Sequence, residues 1–160
     1  KSPISINLII SNNSKSKGLK LGNIFKIKKK IFDFENKNIT ETKIISELKK
    51  NKIDLICLAG FMKILSKKFI NNFKGNIINI HPSLLPKFKG LNTHERAIQN
   101  KERYSGCTVH FVNSKLDSGK IVIQKKVKIN KNDTPKTLAK KILTQEHILY
   151  PKAILKIFSL

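Results

Sequence analysis

The run Asn76-Ile77-Ile78-Asn79-Ile80-His81-Pro82-Ser83-Leu84-Leu85-Pro86 constrains this chain more than any other stretch. The apolar pair Ile77-Ile78 leads into alternation, which reads as a buried strand over Asn76 to Ile80. Side chains two apart on a strand share a face, so Asn79 and His81 point the same way. The prolines then force the chain out of the sheet. An amide and an imidazole thus stand together at the C-terminal mouth of a strand, where they can bind a developing oxyanion and move a proton. Asp117, in Leu116-Asp117-Ser118-Gly119, follows His81 by 36 positions. A turn there returns a carboxylate able to hold the imidazole charged and oriented. Singly, each residue is an ordinary turn former or loop histidine; as a set they read as acyl-transfer chemistry.

The remaining pattern alternates strands with helices. Strands are expected at Ile4 to Ile10, within Phe25 to Phe34, at Asp54 to Ala59 (a continuous apolar run of the kind buried on both sides), at Cys107 to Val112 and at Ile121 to Ile129. Helices are expected at Lys17 to Leu21, at Thr40 to Asn51 with Ile44, Ile45 and Leu48 at helical spacing, from a Ser66 cap to Phe73, and at Thr93 to Asn100. Thr134-Pro135 supplies a capping hydroxyl and a first-turn proline. Leu138, Ile142, Leu143 and Leu149 give that last helix its apolar side, and Pro151 should kink or restart it. The sum is one α/β domain over residues 1–160, with a mostly parallel sheet and helices on both faces.

A net charge of +23 invites a nucleic-acid reading. The lysines are spread along the whole chain, however, arginine occurs only at Arg96 and Arg103, and no aromatic spacing suggests a base-stacking platform. Abundant Lys, Asn and Ile fit AT-rich codon usage. No specific nucleic-acid partner and no membrane association are therefore expected, and a basic surface would still attract small anions. No apolar stretch approaches a membrane span. Cys57 and Cys107 both sit in apolar, strand-like surroundings without metal-ligand spacing, so two buried thiols in a reducing cytoplasm are expected, and no metal.

Five further segments carry a resemblance: Leu58-Ala59-Gly60-Phe61-Met62-Lys63-Ile64-Leu65, Gly90-Leu91-Asn92-Thr93-His94, Thr108-Val109-His110-Phe111-Val112, Leu116-Asp117-Ser118-Gly119 and Thr144-Gln145-Glu146-His147. With Asn79 to Pro86 they resemble, in order, the folate-dependent phosphoribosylglycinamide formyltransferases, from about Ile4 to about Phe158. The resemblance implies a Rossmann-like formyltransferase fold and transfer of a formyl group from the cosubstrate 10-formyltetrahydrofolate to the amine of glycinamide ribonucleotide, in purine biosynthesis. It implies catalytic roles for Asn79, His81 and Asp117. Asn79 and protonated His81 would stabilise the tetrahedral oxyanion, with Asp117 supporting His81 and the proton's passage. It implies folate contacts from Met62, Lys63, Ile64 and Leu65 and from Asn113, Ser114, Lys115, Leu116 and Asp117, and ribonucleotide contacts from Glu146 and, by a looser match, Lys37. Lys63 stands where the family often has arginine, keeping the charge without the bidentate fork. For Met62, Ile64 and Leu65 ordinary core is an equal reading, as a satisfied core histidine is for His110, and a solvated helix face is the plain one for Glu146. A cis peptide at Leu85-Pro86 is expected from the tight turn and the resemblance together.

Two relatives in chemistry stay open. Methionyl-tRNA formyltransferases share the amide, imidazole and carboxylate but have an Arg-Gly-Ala-Ala-Pro-like segment near Lys89-Gly90-Leu91-Asn92, and formyltetrahydrofolate hydrolases have a second histidine at the Pro82 position. The family also opens one unit earlier, with a central strand and a glycine-rich phosphate loop. Nothing before Ile4 resembles that unit. The resemblance therefore implies an N-terminally incomplete sequence whose first strand is missing, incompetent in transfer by itself.

Overall fold

The computed structural model describes residues 4–160. The stretch before Ile4, on which the expectation of a missing first unit bears, lies outside them. The chain divides into two compact units, residues 1–54 with 71–75 and residues 55–70 with 76–160.

The first unit is a β-α-β turn followed by a helix: β1 Leu8–Ser11, α1 Lys17–Ile24, β2 Lys28–Ile31 and α2 Lys37–Lys50. β1 and β2 pair in parallel, Leu8 opposite Lys28 through Ser11 opposite Ile31. The strand expected from Ile4 begins only at Leu8, where pairing with β2 begins. Asn36 caps α2 by accepting from the Ile39 N–H at 3.2 Å. Ile44 and Leu48 are buried at helical spacing, while Lys28 and Lys30 each approach Glu47 to 3.4 Å.

The second unit carries β3 Leu55–Leu58, β4 Asn76–His81, α4 Thr93–Gln99, β5 Tyr104–Phe111, β6 Ile121–Lys128 and α5 Pro135–Ile157; α3, Lys67–Asn72, runs across the boundary between units. The strands form one sheet in the order β3-β4-β5-β6. β3 and β4 are parallel, and β4-β5 and β5-β6 are antiparallel. The fold class is α/β as expected, with mixed rather than mostly parallel pairing. The direct β5-β6 connection has no crossover helix and so returns β6 antiparallel to β5, whereas β5 runs antiparallel to β4 with α4 between them.

Strand alternation sorts this sheet into two faces. Ile78, Cys107 and Val109 are buried with Ala97, Leu138, Ile142, Leu149 and Ala153 of α4 and α5, and Ile80 and Phe111 pack against them. This is the core. Thr134 accepts from the Thr137 N–H at 3.2 Å and Thr137 Oγ1 accepts from the Thr134 N–H at 2.9 Å, a reciprocal cap at the start of α5.

Four expectations are corrected here. Leu143 of α5 is 49% exposed, because Leu138, Ile142, Leu149 and Ala153 define the buried stripe and Leu143 lies a further 100° round the helix. α5 does not restart at Pro151 but continues through it, between buried Leu149 and Ala153. β3 is half-buried rather than buried on both sides, and Cys57 is exposed, because among the described residues β3 has a strand neighbour on one side only. Cys107, in the sheet interior, is fully buried as expected.

Candidate active site

Asn79 lies opposite His110, and His81 opposite Thr108. Thr108 in turn lies opposite Gln124 of β6. These five polar side chains therefore share the sheet face turned away from the Ile78–Val109 core. After His81 the backbone leaves the sheet through a turn held by buried hydrogen bonds. Thr108 Oγ1 donates to the Ser83 carbonyl at 2.6 Å and accepts from the Leu85 N–H at 3.1 Å and from Gln124 Nε2 at 2.8 Å. Gln124 Nε2 also donates to the Leu85 carbonyl at 2.9 Å. Leu85-Pro86 is cis, as expected.

The structure brings Asn79, His81 and Asp117 into one cluster. His81 and Asp117 side chains are 7% and 8% exposed, and His81 Nδ1 lies 3.4 Å from Asp117 Oδ2. His81 Nε2 donates to the Phe88 carbonyl at 2.9 Å. The ring nitrogens thus face a backbone carbonyl on one side and a carboxylate on the other. Asp117 is itself fixed, accepting from the Gly90 N–H at 2.9 Å. Its backbone holds φ 44°, a left-handed conformation that Asp tolerates better than most residues. Gly119 closes the same loop: a Cβ there would fall 1.6 Å from the Phe111 carbonyl oxygen, so only glycine lets the loop lie against β5.

His110 belongs to this cluster, and sequence reasoning left its role open. Its Nδ1 donates to the Phe111 carbonyl at 2.9 Å. Burial, with a smaller contribution from His81, lowers its pKa below the ordinary 6.5 against the opposing pull of Phe111 and Asp117. The neutral ring then offers Nε2 as an acceptor to Asn79 Nδ2 at 3.4 Å. That holds the Asn79 amide and leaves its second N–H for a ligand. His110 Nε2 is also 3.6 Å from Asp117 Oδ1. His94 is the third histidine nearby, its pKa lowered by burial and by His81, with Nδ1 buried and unpartnered among the described residues.

The other expected site residues are placed less tightly. Met62 and Ile64 are 76% and 61% exposed, whereas Leu65 is buried and belongs to the core. Lys63 is exposed, as are Asn113, Ser114, Lys115 and Leu116, with Asn113 Oδ1 accepting from the Lys115 N–H at 2.9 Å. Uncovered apolar side chains at 62, 64 and 116 suit a flat apolar ring, so the residues present fit a folate. Glu146 is half-buried on α5, and burial first and the Glu146 charge second push the Cys107 thiol up to about 12. Among the described residues Glu146 forms no hydrogen bond or ion pair with His81 or Asp117. Lys37 is exposed at the start of α2, in the first unit.

A strand-mouth site on an α/β sheet with short antiparallel additions defines a protein of the Rossmann-like class. The comparisons make that specific. Residues 1–154 match the model of the family described as formyl transferase. A phosphoribosylglycinamide formyltransferase of Haemophilus influenzae is 42% identical over 95% of this chain and 73% of its own length. The human trifunctional purine biosynthetic protein adenosine-3 is 38% identical over 96% of this chain, which spans 15% of that protein. Other trifunctional relatives are matched over as little as 9% of their length. Among solved structures, the phosphoribosylglycinamide formyltransferase of Bacillus halodurans superposes with a TM-score of 0.92 at 34% identity, over 98% of this chain and 82% of that one. That of Coxiella burnetii gives 0.89 at 40% identity, over 97% and 74%. The chain belongs to the formyl transferase family.

Proposed function

We propose that this protein transfers a formyl group from 10-formyltetrahydrofolate to the amine of glycinamide ribonucleotide, in purine biosynthesis in the cytoplasm. The observation that carries the reading is the Asn79–His81–Asp117 cluster at the mouth of β4, in a chain whose matched relatives bear that name. The folate supplies the formyl group. In this reading the second Asn79 N–H and the His81 imidazolium meet the oxygen that gains charge when the amine adds, each such donor being worth about 10²–10³ in rate. Asp117, anchored on Gly90, keeps His81 charged and oriented and takes part in moving the amine's proton. Met62, Lys63, Ile64 and Leu65 form one side of the folate site and Asn113 to Asp117 the other; Glu146 and Lys37 contact the ribonucleotide. Residues 1–160 belong to a single formyl transferase domain, a reading supported by one family model running through both compact units. Among the described residues no helix is long and apolar enough to cross a membrane.

The test is to express the protein from its complete reading frame and offer labelled 10-formyltetrahydrofolate with glycinamide ribonucleotide, with initiator methionyl-tRNA, and with water alone. Label in formylglycinamide ribonucleotide is expected. Label in the tRNA, or free formate only, would overturn the assignment in favour of one of the two related chemistries.

A further inference from the structure

Beyond the strand mouth, the second unit contains another concavity, with a volume of about 510 Å³. It forms because β5 outruns β4. β4 pairs with β5 only from Thr108 to Phe111, whereas β6 accompanies β5 back to Tyr104. The stretch around Tyr104 and Ser105 therefore has a strand on one side and, on the other, a cleft walled by Leu84, Pro86 and Phe88 of the turn that leaves the active site.

The charges around this cleft are unbalanced. Its one acid, Glu102, is already held by Lys87 at 2.7 Å. Lys101, Arg103 and Lys126 remain, and none of the three forms an ion pair among the described residues. Lys126 is poised over the Tyr104 ring, 3.8 Å from its centroid. Arg103 is one of only two arginines in a chain otherwise supplied with lysine. The other, Arg96, bonds the Lys89 and Leu91 carbonyls and stacks on Phe88. Ser105, also in the cleft wall, is 3% exposed, and its hydroxyl has no hydrogen-bond partner among the described residues. An unpaired guanidinium, two ammonium groups and a spare hydroxyl form a donor set that matches phosphate oxygens.

We propose that the cleft between the Leu84–Phe88 turn and the start of β5 binds a small phosphorylated compound, as a site separate from the Asn79–His81–Asp117 cluster. Phe88 lines the cleft, and its carbonyl takes the His81 Nε2 hydrogen bond, so occupancy is felt at His81. Any consequence for formyl transfer rests on the proposed function; the binding does not.

Pyrophosphate is the minimal probe. It is titrated at constant ionic strength into the full protein and followed by NMR of the Tyr104 and Ser105 amides, the Arg103 Nε–H and the His81 ring. Saturable shifts at Arg103 and Ser105, with a smaller shift at His81, are expected. Arg103→Ala and Lys126→Ala each weaken binding about tenfold, Arg103→Lys weakens it less, and Lys136→Ala, on α5 and outside the cleft lining, changes it less than twofold. Circular dichroism confirms that the surface variants are folded. Equal weakening by Lys136→Ala would mean a diffuse effect of the +23 charge and overturn the site. Shifts at His81 without shifts at Arg103 would place the anion in the active site and overturn it as well.

Discussion

Along β5, residues 107, 109 and 111 turn toward α4 and α5, while 108 and 110 turn the other way, toward His81 and Asn79. On the helix side the buried groups are apolar and interchangeable in kind, and what matters is volume. On the opposite side the buried residues of β5 and the His81 that faces them are polar and have named partners: Thr108 with Ser83, Leu85 and Gln124, His81 with Phe88 and Asp117, His110 with Phe111 and Asn79. One strand thus carries both kinds of order. The helix side obtains stability from burial, and the polar side obtains geometry, since an unsatisfied buried polar group costs more than its bond contributes.

The sharpest way to break this comparison is His81→Ala. The expected loss is about 10²–10⁴ in kcat, as for removal of a general acid–base or oxyanion donor, with a stability loss well below that of a core truncation. A comparable loss of stability would show that the polar side is structural too. Ile142→Ala should do the reverse, costing about 2–5 kcal/mol of unfolding free energy in a denaturant titration while kcat at low temperature stays near that of the parent.

Thr108→Val is the intermediate case. It is nearly isosteric but strands the Leu85 N–H and the Ser83 carbonyl, so about 1–3 kcal/mol of stability should be lost together with part of the activity. A variant as stable as the parent would mean that the turn is held by other contacts.

The smallest effects concern titration. His110 and His94 have pKa values lowered below 6.5, so the native state holds fewer protons than the unfolded chain in the window beneath that value. Their contribution to stability is complete above about pH 6.5 and is lost as pH falls through the folded values. Glu146 has the opposite sign: burial raises its pKa above 4.5, so its charge costs stability as pH rises through the folded value. Glu146→Gln should therefore raise the melting temperature at pH 7.5 and not at pH 4. If the same variant weakens acceptor binding, a carboxylate on the stabilising side of the sheet is there for binding.

The strand mouth was legible because Ile77-Ile78 and the following prolines fix both the strand and its exit. The Asp117 loop was legible from Leu116-Asp117-Ser118-Gly119, but its anchoring on Gly90 was not, since that bond joins two loops 27 residues apart. The position of His110 against Asn79 depends on antiparallel register, which periodicity alone does not give. Leu143 was misplaced because an apolar residue beside a helical stripe looks like part of it, and Cys57 because an apolar strand reads the same at the edge of a sheet as in its middle. The phosphate-like cleft draws on segments near 86, 103 and 126 that meet only in three dimensions.

The central claim is that His81 and Asp117 act as one unit on the polar side, and a double-mutant cycle in kcat tests it most directly. His81→Gln, Asp117→Asn and the pair are compared in the formyl-transfer assay, with circular dichroism as the folding control. A double variant losing no more than the worse single variant is expected, as for residues whose effects run through each other. Losses that multiply would contradict the account, because each side chain would then be acting alone.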